Sequence, residues 1–281
     1  MVATLVLCIV IWLTPLWAYA QTPQTTLDRT APLAKGLTAW FKAIPKFNGG
    51  KYMYDIMGGP PIQLTNMGNA GTTSGWAGPT QTFHTGEIRF DGVDDNMSTP
   101  ANSAIMPPFY SMLLWMKMAA NAPGDYALLW EAVNGNASLY ITNNNQIAAY
   151  AGAISLDPAT TVLSINTWYH IAVVSTTQVR AYVNCRLDGT AAGAGPLSAS
   201  AFSHLFGMNS STGSKFTGSM NDMRFYNRSL TGEEVCAAMQ ESKRGDPQLL
   251  PTLYSGKGGN VLGFVLATFT KGRFFPFFRA Q

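Results

Sequence analysis

Short apolar runs of four to nine residues, punctuated by Gly, Pro, Asn and Asp, recur along most of this chain. Gly36–Phe41, Glu87–Phe90, Tyr110–Met118, Tyr126–Trp130 and Leu139–Thr142 come first; Ile147–Tyr150, Trp168–Val174, Val179–Val183 and Met220–Tyr226 follow. Runs of this length, at this spacing and bounded by turn residues, predict an all-β sandwich or barrel. The clearest hairpin is Trp168–Asn184, with Ser175–Gln178 as its turn. Its first strand is apolar on both faces, which predicts a central position, and its second is half-polar, nearer solvent.

One helix interrupts the pattern. Thr231-Gly232-Glu233-Glu234 has the form of a capping box, Thr at the cap and Glu three residues on. Val235, Ala238 and Met239 supply an apolar stripe, and Gly245 and Pro247 predict a stop near Arg244.

The 281 residues suit one large domain or two small ones. Charged residues make up 12%, well under the usual quarter, and the net charge is +3. A charge-driven disordered chain is therefore excluded. A nucleic-acid partner is argued against, because the one adjacent basic pair is Lys243-Arg244 and no stripe of Lys and Arg is visible.

The first 27 residues carry no Asp, Glu, Lys or Arg. Leu5–Leu13 is almost continuously apolar, and Ala18-Tyr19-Ala20 has the small-x-small form of a cleavage site. Residues 1–20 are expected to be a signal peptide, placing the mature chain outside the cell or at its surface. The alternative, an uncleaved anchor, needs about 20 apolar residues, more than this run supplies, so no transmembrane span is expected after cleavage. Residues 21–34 read as a linker, 35–247 as the domain and 248–281 as an apolar, Phe-rich tail. The tail could pack on the domain, or dock on a partner copy or a surface. Cys8 leaves with the signal, and Cys185 and Cys236 remain as either a disulfide or two buried thiols.

Five segments then fall in a familiar order. Phe90-Asp91-Gly92-Val93-Asp94-Asp95 resembles the F-D-G-x-D-D motif of laminin-G-like domains, which are concanavalin A-like jelly rolls. Trp168–Val173 resembles that family's W-x-H-x-A-V strand, and Val179–Asn184 the x-Y-V-N strand after it. Phe216–Arg228 resembles the closing G-x-I-D-D-V-R-I-Y-N-R segment, and Ser229–Val235 the helix start. Gly36–Trp40 and Tyr54-Asp55 fit the opening strands. Two departures stand out: Asn184-Cys185-Arg186 replaces an Asn-Gly turn, and Asn221 precedes Asp222 where the family has two acids. The resemblance implies two curved antiparallel sheets packed face to face.

That fold serves lectins, adhesion modules and glucanases alike, so function rests on a site. Glucanases of this fold carry paired carboxylates on one strand, and none of the five Glu here sits in such a motif. Glu87 and Asp91, four apart, are the nearest approach to a pair. His84, His170 and His204 show no metal-ligand spacing, and His170 reads as a packed core histidine. Asp91, Asp94 and Asp95 could hold Ca²⁺, or could simply form a turn. Trp76, in a loop of small residues, could stack on a sugar or plug the end of the sandwich. Trp40, Trp115, Trp130 and Trp168 are expected in the core. Asn96, Asn136, Asn209 and Asn227 open glycosylation sequons. The expectation is a secreted, non-catalytic module that binds a glycan or an extracellular protein. A structural or surface-assembly protein is the alternative, and a glycoside hydrolase with an atypical carboxylate pair the third reading.

Overall fold

Strand Trp168–Ser175 shows how the layers arise. It lies between Tyr110–Met118 and Gln178–Val183, with both of its faces buried. Ile171 and Val173 point into the sandwich core, while Ala172 and Val174 join a second cluster with Leu37, Trp40, Leu113, Val235 and Ala238. The helix Gly232–Arg244 supplies that outer layer. A strand apolar on both sides is thus central in its sheet and sandwiched between a second sheet and a helix.

The computed structural model describes residues 25–27, 31–43, 50–67, 74–77, 86–105, 107–122, 124–133, 136–193, 200–209, 213–244 and 249–251. The expected signal peptide, 1–20, and all of the Phe-rich tail after Pro251 lie outside these residues. One antiparallel sheet of eight strands runs Arg186–Ala192, Gln178–Val183, Trp168–Ser175, Tyr110–Met118, Thr217–Tyr226, Glu87–Asp91, Gly75–Ala77. Leu37–Phe41 also pairs with Thr217–Tyr226. The other sheet, of nine, runs Ile154–Leu156, Ile147–Ala151, Ala137–Thr142, Tyr126–Val133, Ala201–Phe206, Asn96–Ser98, Ile62–Thr65, Tyr52–Met53, with Ala104–Ile105 beside Ala201–Phe206. Phe41, Ile62, Phe90, Met97, Met112, Leu139, Ile171 and Phe206 are among the residues filling the space between them. Thr25–Leu27 pairs with Leu249–Pro251 in a separate two-stranded ladder, and Leu33, in the short 3-10 turn Pro32–Ala34, is buried in the helix-side cluster.

The capping box forms as its spacing predicts. Thr231 N–H donates to Glu234 Oε2 at 2.9 Å and Glu234 N–H to Thr231 Oγ1 at 3.2 Å. Arg228 adds a two-pronged clamp on the Glu234 carboxylate, at 2.7 and 2.8 Å.

Both departures from the family pattern have local explanations. Asn221 bridges three segments: its Oδ1 accepts Ala43 N–H at 2.9 Å, and its Nδ2 donates to Gly86 O at 2.6 Å. A carboxylate could not donate the second of these bonds. Asn184 and Cys185 form the two-residue turn between Val183 and Arg186, with φ of 48° and 75°. Two positive φ angles mark a mirror-image hairpin turn, which Asn enters readily and for which Gly is the ordinary second residue. Cys185 is also joined to Cys236 of the helix by a disulfide, with Cα atoms 4.7 Å apart.

Candidate functional site

The acidic cluster Asp91, Asp94 and Asp95 closes the turn that leaves strand Glu87–Asp91. Asp91 Oδ1 accepts Val93 N–H at 2.7 Å, and Asp95 Oδ2 accepts Asp91 N–H at 2.7 Å. Asp95 Oδ1 takes Ser74 Oγ–H at 2.9 Å. Burial raises the Asp95 pKa above the usual carboxylate range, against these hydrogen bonds. Gly92 sits at φ +77°, and a Cβ there would overlap Thr217 Oγ1, so both conformation and space require glycine. One oxygen from each Asp lies within 4.8 Å of the others. Ca²⁺ takes six to eight oxygens, and turn chemistry already accounts for three of those present.

Trp76 is 5% exposed, lies in the core, and donates Nε1–H to Gly50 O at 2.9 Å. Of the two roles its sequence left open, burial supports the plug, since no ring face is left for a sugar. Trp40 and Trp130 are core residues as expected. Trp115 and Trp168 differ: both are half-buried on the outward face of the eight-stranded sheet. There Trp115 donates to Ser242 Oγ at 2.9 Å, and Lys117 lies 5.0 Å over the Trp168 ring.

Glu87 is paired with Arg89 at 2.7 Å and Lys117 at 3.3 Å. Burial pushes its pKa up, but the hydrogen bonds and charge of these two cations outweigh that and hold it below the usual range. His170 is 3% exposed, with its ring centroid 5.3 Å from that of Trp115. His84 lies outside the described residues.

His204 lies on the inward face of Ala201–Phe206. Its ring is enclosed by Phe41, Phe202, Phe206, Phe225 and Trp130, and burial lowers its pKa to about 3. The folded protein therefore binds no proton here until far below the 6.5 at which the unfolded chain does. Stability should fall as pH drops from 6.5 toward 3, by about 1.4 kcal/mol per pH unit from this residue. Urea titrations of wild type and His204→Phe between pH 7 and 4.5 test this, the variant being expected to lose that part of the slope.

A grouping that residue-by-residue reading missed lies on the outward face of the nine-stranded sheet. Tyr126, Tyr140 and Tyr150 sit on three successive strands, with ring centroids 5.6 and 6.0 Å apart along the row. Leu128 faces Tyr140 and Ser138 faces Tyr150 across the ladders, which fixes the stagger. Asp157 gathers the phenols: its Oδ2 accepts the Tyr150 hydroxyl at 2.6 Å and that of Tyr126 as well. The hydrogen bond to Asp157 raises the Tyr126 pKa; burial, then the same carboxylate, raises that of Tyr150. All three rings are half-buried, so they combine an anchored edge with an accessible face. A row of aromatic faces beside a carboxylate can stack on sugar C–H surfaces and accept sugar hydroxyls.

A family model described as the concanavalin A-like lectin/glucanases superfamily, Laminin_G_3, matches residues 91–236. No curated protein matches the chain. Among solved structures, Trypanosoma rangeli sialidase in complex with sialic acid is 15% identical with a TM-score of 0.55, over 75% of this chain and 34% of that one. The chain thus spans about a third of that sialidase. Domain 4 of AbnA, a GH43 extracellular arabinanase from Geobacillus stearothermophilus in complex with arabinotriose, is 16% identical with a TM-score of 0.54, over 72% of this chain and 97% of that domain. The botulinum neurotoxin serotype D binding domain is 14% identical with a TM-score of 0.51, over 73% of this chain and 51% of that one. Likeness at these identities is likeness of fold.

Proposed function

We propose, from the premise that this chain belongs to the concanavalin A-like lectin/glucanases superfamily, that it is an exported glycan-binding module acting without catalysis through its tyrosine row. The observation that carries the reading is the Tyr126–Tyr140–Tyr150 arrangement with Asp157 at its edge. The AbnA domain in complex with arabinotriose is matched over 97% of its length by this fold, which makes a short neutral oligosaccharide a natural first ligand. Export rests on the apolar, uncharged N-terminal segment. Among the described residues, no helix is long and apolar enough to cross a membrane.

Absence of catalysis is supported by how the acids are used. A retaining glycosidase sets two carboxylates about 5 Å apart, one of them with a raised pKa. In the Glu87/Asp91 pair Glu87 has its pKa held down by Arg89 and Lys117, and in the closer Asp91/Asp95 pair, where burial raises Asp95, both carboxylates already accept hydrogen bonds from the turn and Ser74.

The full chain is expected to bind on a glycan array that includes arabinotriose, both with and without EDTA. The Tyr140→Ala/Tyr150→Ala double variant should lose roughly tenfold or more in affinity. Its melting temperature, measured alongside, separates a lost contact from lost folding. Binding that survives in a folded double variant would remove the tyrosine row from the reading. A bare array with capture of an extracellular protein would favour a protein ligand.

A further inference from the structure

A second site, independent of the tyrosine row, lies between the sheets. A cavity of about 490 Å³ opens there, walled by Phe41, Tyr110, Trp130, Phe202 and Phe225, with His204 among them. That volume falls within the range of small-molecule sites, about 300–1,000 Å³. Aromatic walls alone would be only an apolar void. The protonation of His204 makes this one directional.

Trp130 Nε1–H donates to His204 Nδ1 at 3.1 Å. An indole nitrogen can only donate, so His204 Nδ1 is the acceptor and the ring proton sits on Nε2. The backbone cannot shift the ring away, since His204 N–H donates to Thr99 Oγ1 at 2.9 Å and Thr99 N–H to His204 O at 3.0 Å. The His204 side chain makes no further hydrogen bond among the described residues, and the residue lines the cavity. The residue is only 4% exposed. A polar N–H held among phenyl rings without an acceptor is costly, and a ligand that accepts from it recovers that cost.

The rest of the lining selects the charge and polarity of the occupant. Among the described residues no Lys or Arg lines the cavity, and the one carboxylate there, Asp55, already accepts Trp40, Met57 and Gly59 N–H at 2.8–3.0 Å. An anion would be desolvated without a counter-charge, beside a carboxylate. We propose that this cavity binds a small, neutral, mainly apolar molecule through one carbonyl-type oxygen, which accepts from His204 Nε2–H while its apolar body packs on the aromatic walls.

Benzophenone, diphenylmethane and diphenylacetate separate these requirements, being a neutral ketone, its counterpart without an acceptor and an anion of similar size. Each is titrated into the full chain, with tryptophan fluorescence and saturation-transfer NMR as readouts. Benzophenone should bind saturably, diphenylmethane roughly tenfold more weakly, and diphenylacetate not at all. In His204→Phe the preference for the ketone should vanish. Should that variant fail to fold, Ala104→Phe, on the cavity lining, fills the space without touching the His204 hydrogen bonds and should abolish benzophenone binding. The proposal is overturned if benzophenone does not saturate, if diphenylmethane binds equally well, or if Ala104→Phe leaves binding unchanged.

Discussion

Asp222→Asn should lower the unfolding free energy by about 3–5 kcal/mol, the usual cost of leaving a buried charge uncompensated. Asp222 is 4% exposed and sits at φ +53°, in a bulge between Asn221 and Arg224. The bulge turns its carboxylate onto the helix side of the sheet. There Oδ1 accepts Trp40 Nε1–H at 2.5 Å and Arg224 Nε–H at 2.9 Å, while Oδ2 accepts Arg224 Nη2–H at 2.9 Å and the Ser242 hydroxyl. Arg224, 1% exposed, lies 4.3 Å over the Trp40 ring, and Glu241 is 3.8 Å away. Burial alone would raise the Asp222 pKa, but the charges of Arg224 and Lys42 hold it well below the usual carboxylate range.

Asparagine keeps the shape and tolerates the left-handed backbone, so what is lost is the charge and one acceptor facing a donor-only guanidinium. The sign with pH follows from the depressed pKa. The stabilisation is fully present above about pH 3.8 and fades as pH falls below it. Wild type and variant should therefore differ most near neutrality and converge in acid, as read by urea unfolding. Asp222→Asn/Arg224→Met should be more stable than Asp222→Asn alone, because the second change removes the orphaned charge. A single variant within 1 kcal/mol of wild type would mean that water or Glu241 replaces the lost partner.

The sandwich was legible because its information is local. Alternation placed Ile171 and Val173 opposite Ala172 and Val174, and the Thr231–Glu234 spacing announced the helix that covers the latter pair. The turn at Asp91–Asp95 was equally local, each bond in it except that of Ser74 spanning four residues or fewer. The tyrosine row was not legible. Tyr126, Tyr140 and Tyr150 are each an unremarked outward position, and only strand register makes them neighbours. Asp157, which joins two of them, lies beyond the strands altogether. His204 has the same character: Phe202, His204 and Phe206 alternate inward, but its tautomer depends on Trp130, 74 residues away. Trp76 marks the opposite error, a loop-like setting of small residues that concealed a short strand paired to Glu87–Asp91.

Removing the Cys185–Cys236 bridge should cost about 4 kcal/mol, the chain-entropy value for closing a loop of this length; its ends are 51 residues apart. The size of the loss should depend on what replaces Cys185. At φ +75° this residue occupies a conformation that costs a side-chain-bearing residue roughly 1–2 kcal/mol relative to glycine. Cys185→Ala/Cys236→Ala should therefore show the full loss, keeping the strain while deleting the cross-link. Cys185→Gly/Cys236→Ala restores the ordinary residue for this turn and should recover about 1 kcal/mol of it. Both pairs are compared by guanidinium unfolding, together with wild type in reducing buffer, which should track the alanine pair. Equal stability of the two pairs would show that the turn relaxes to another conformation once the bridge is gone. In that case the bridge, and not the Val183–Arg186 hairpin, is what holds Asn184 and Cys185 in their left-handed geometry against the helix.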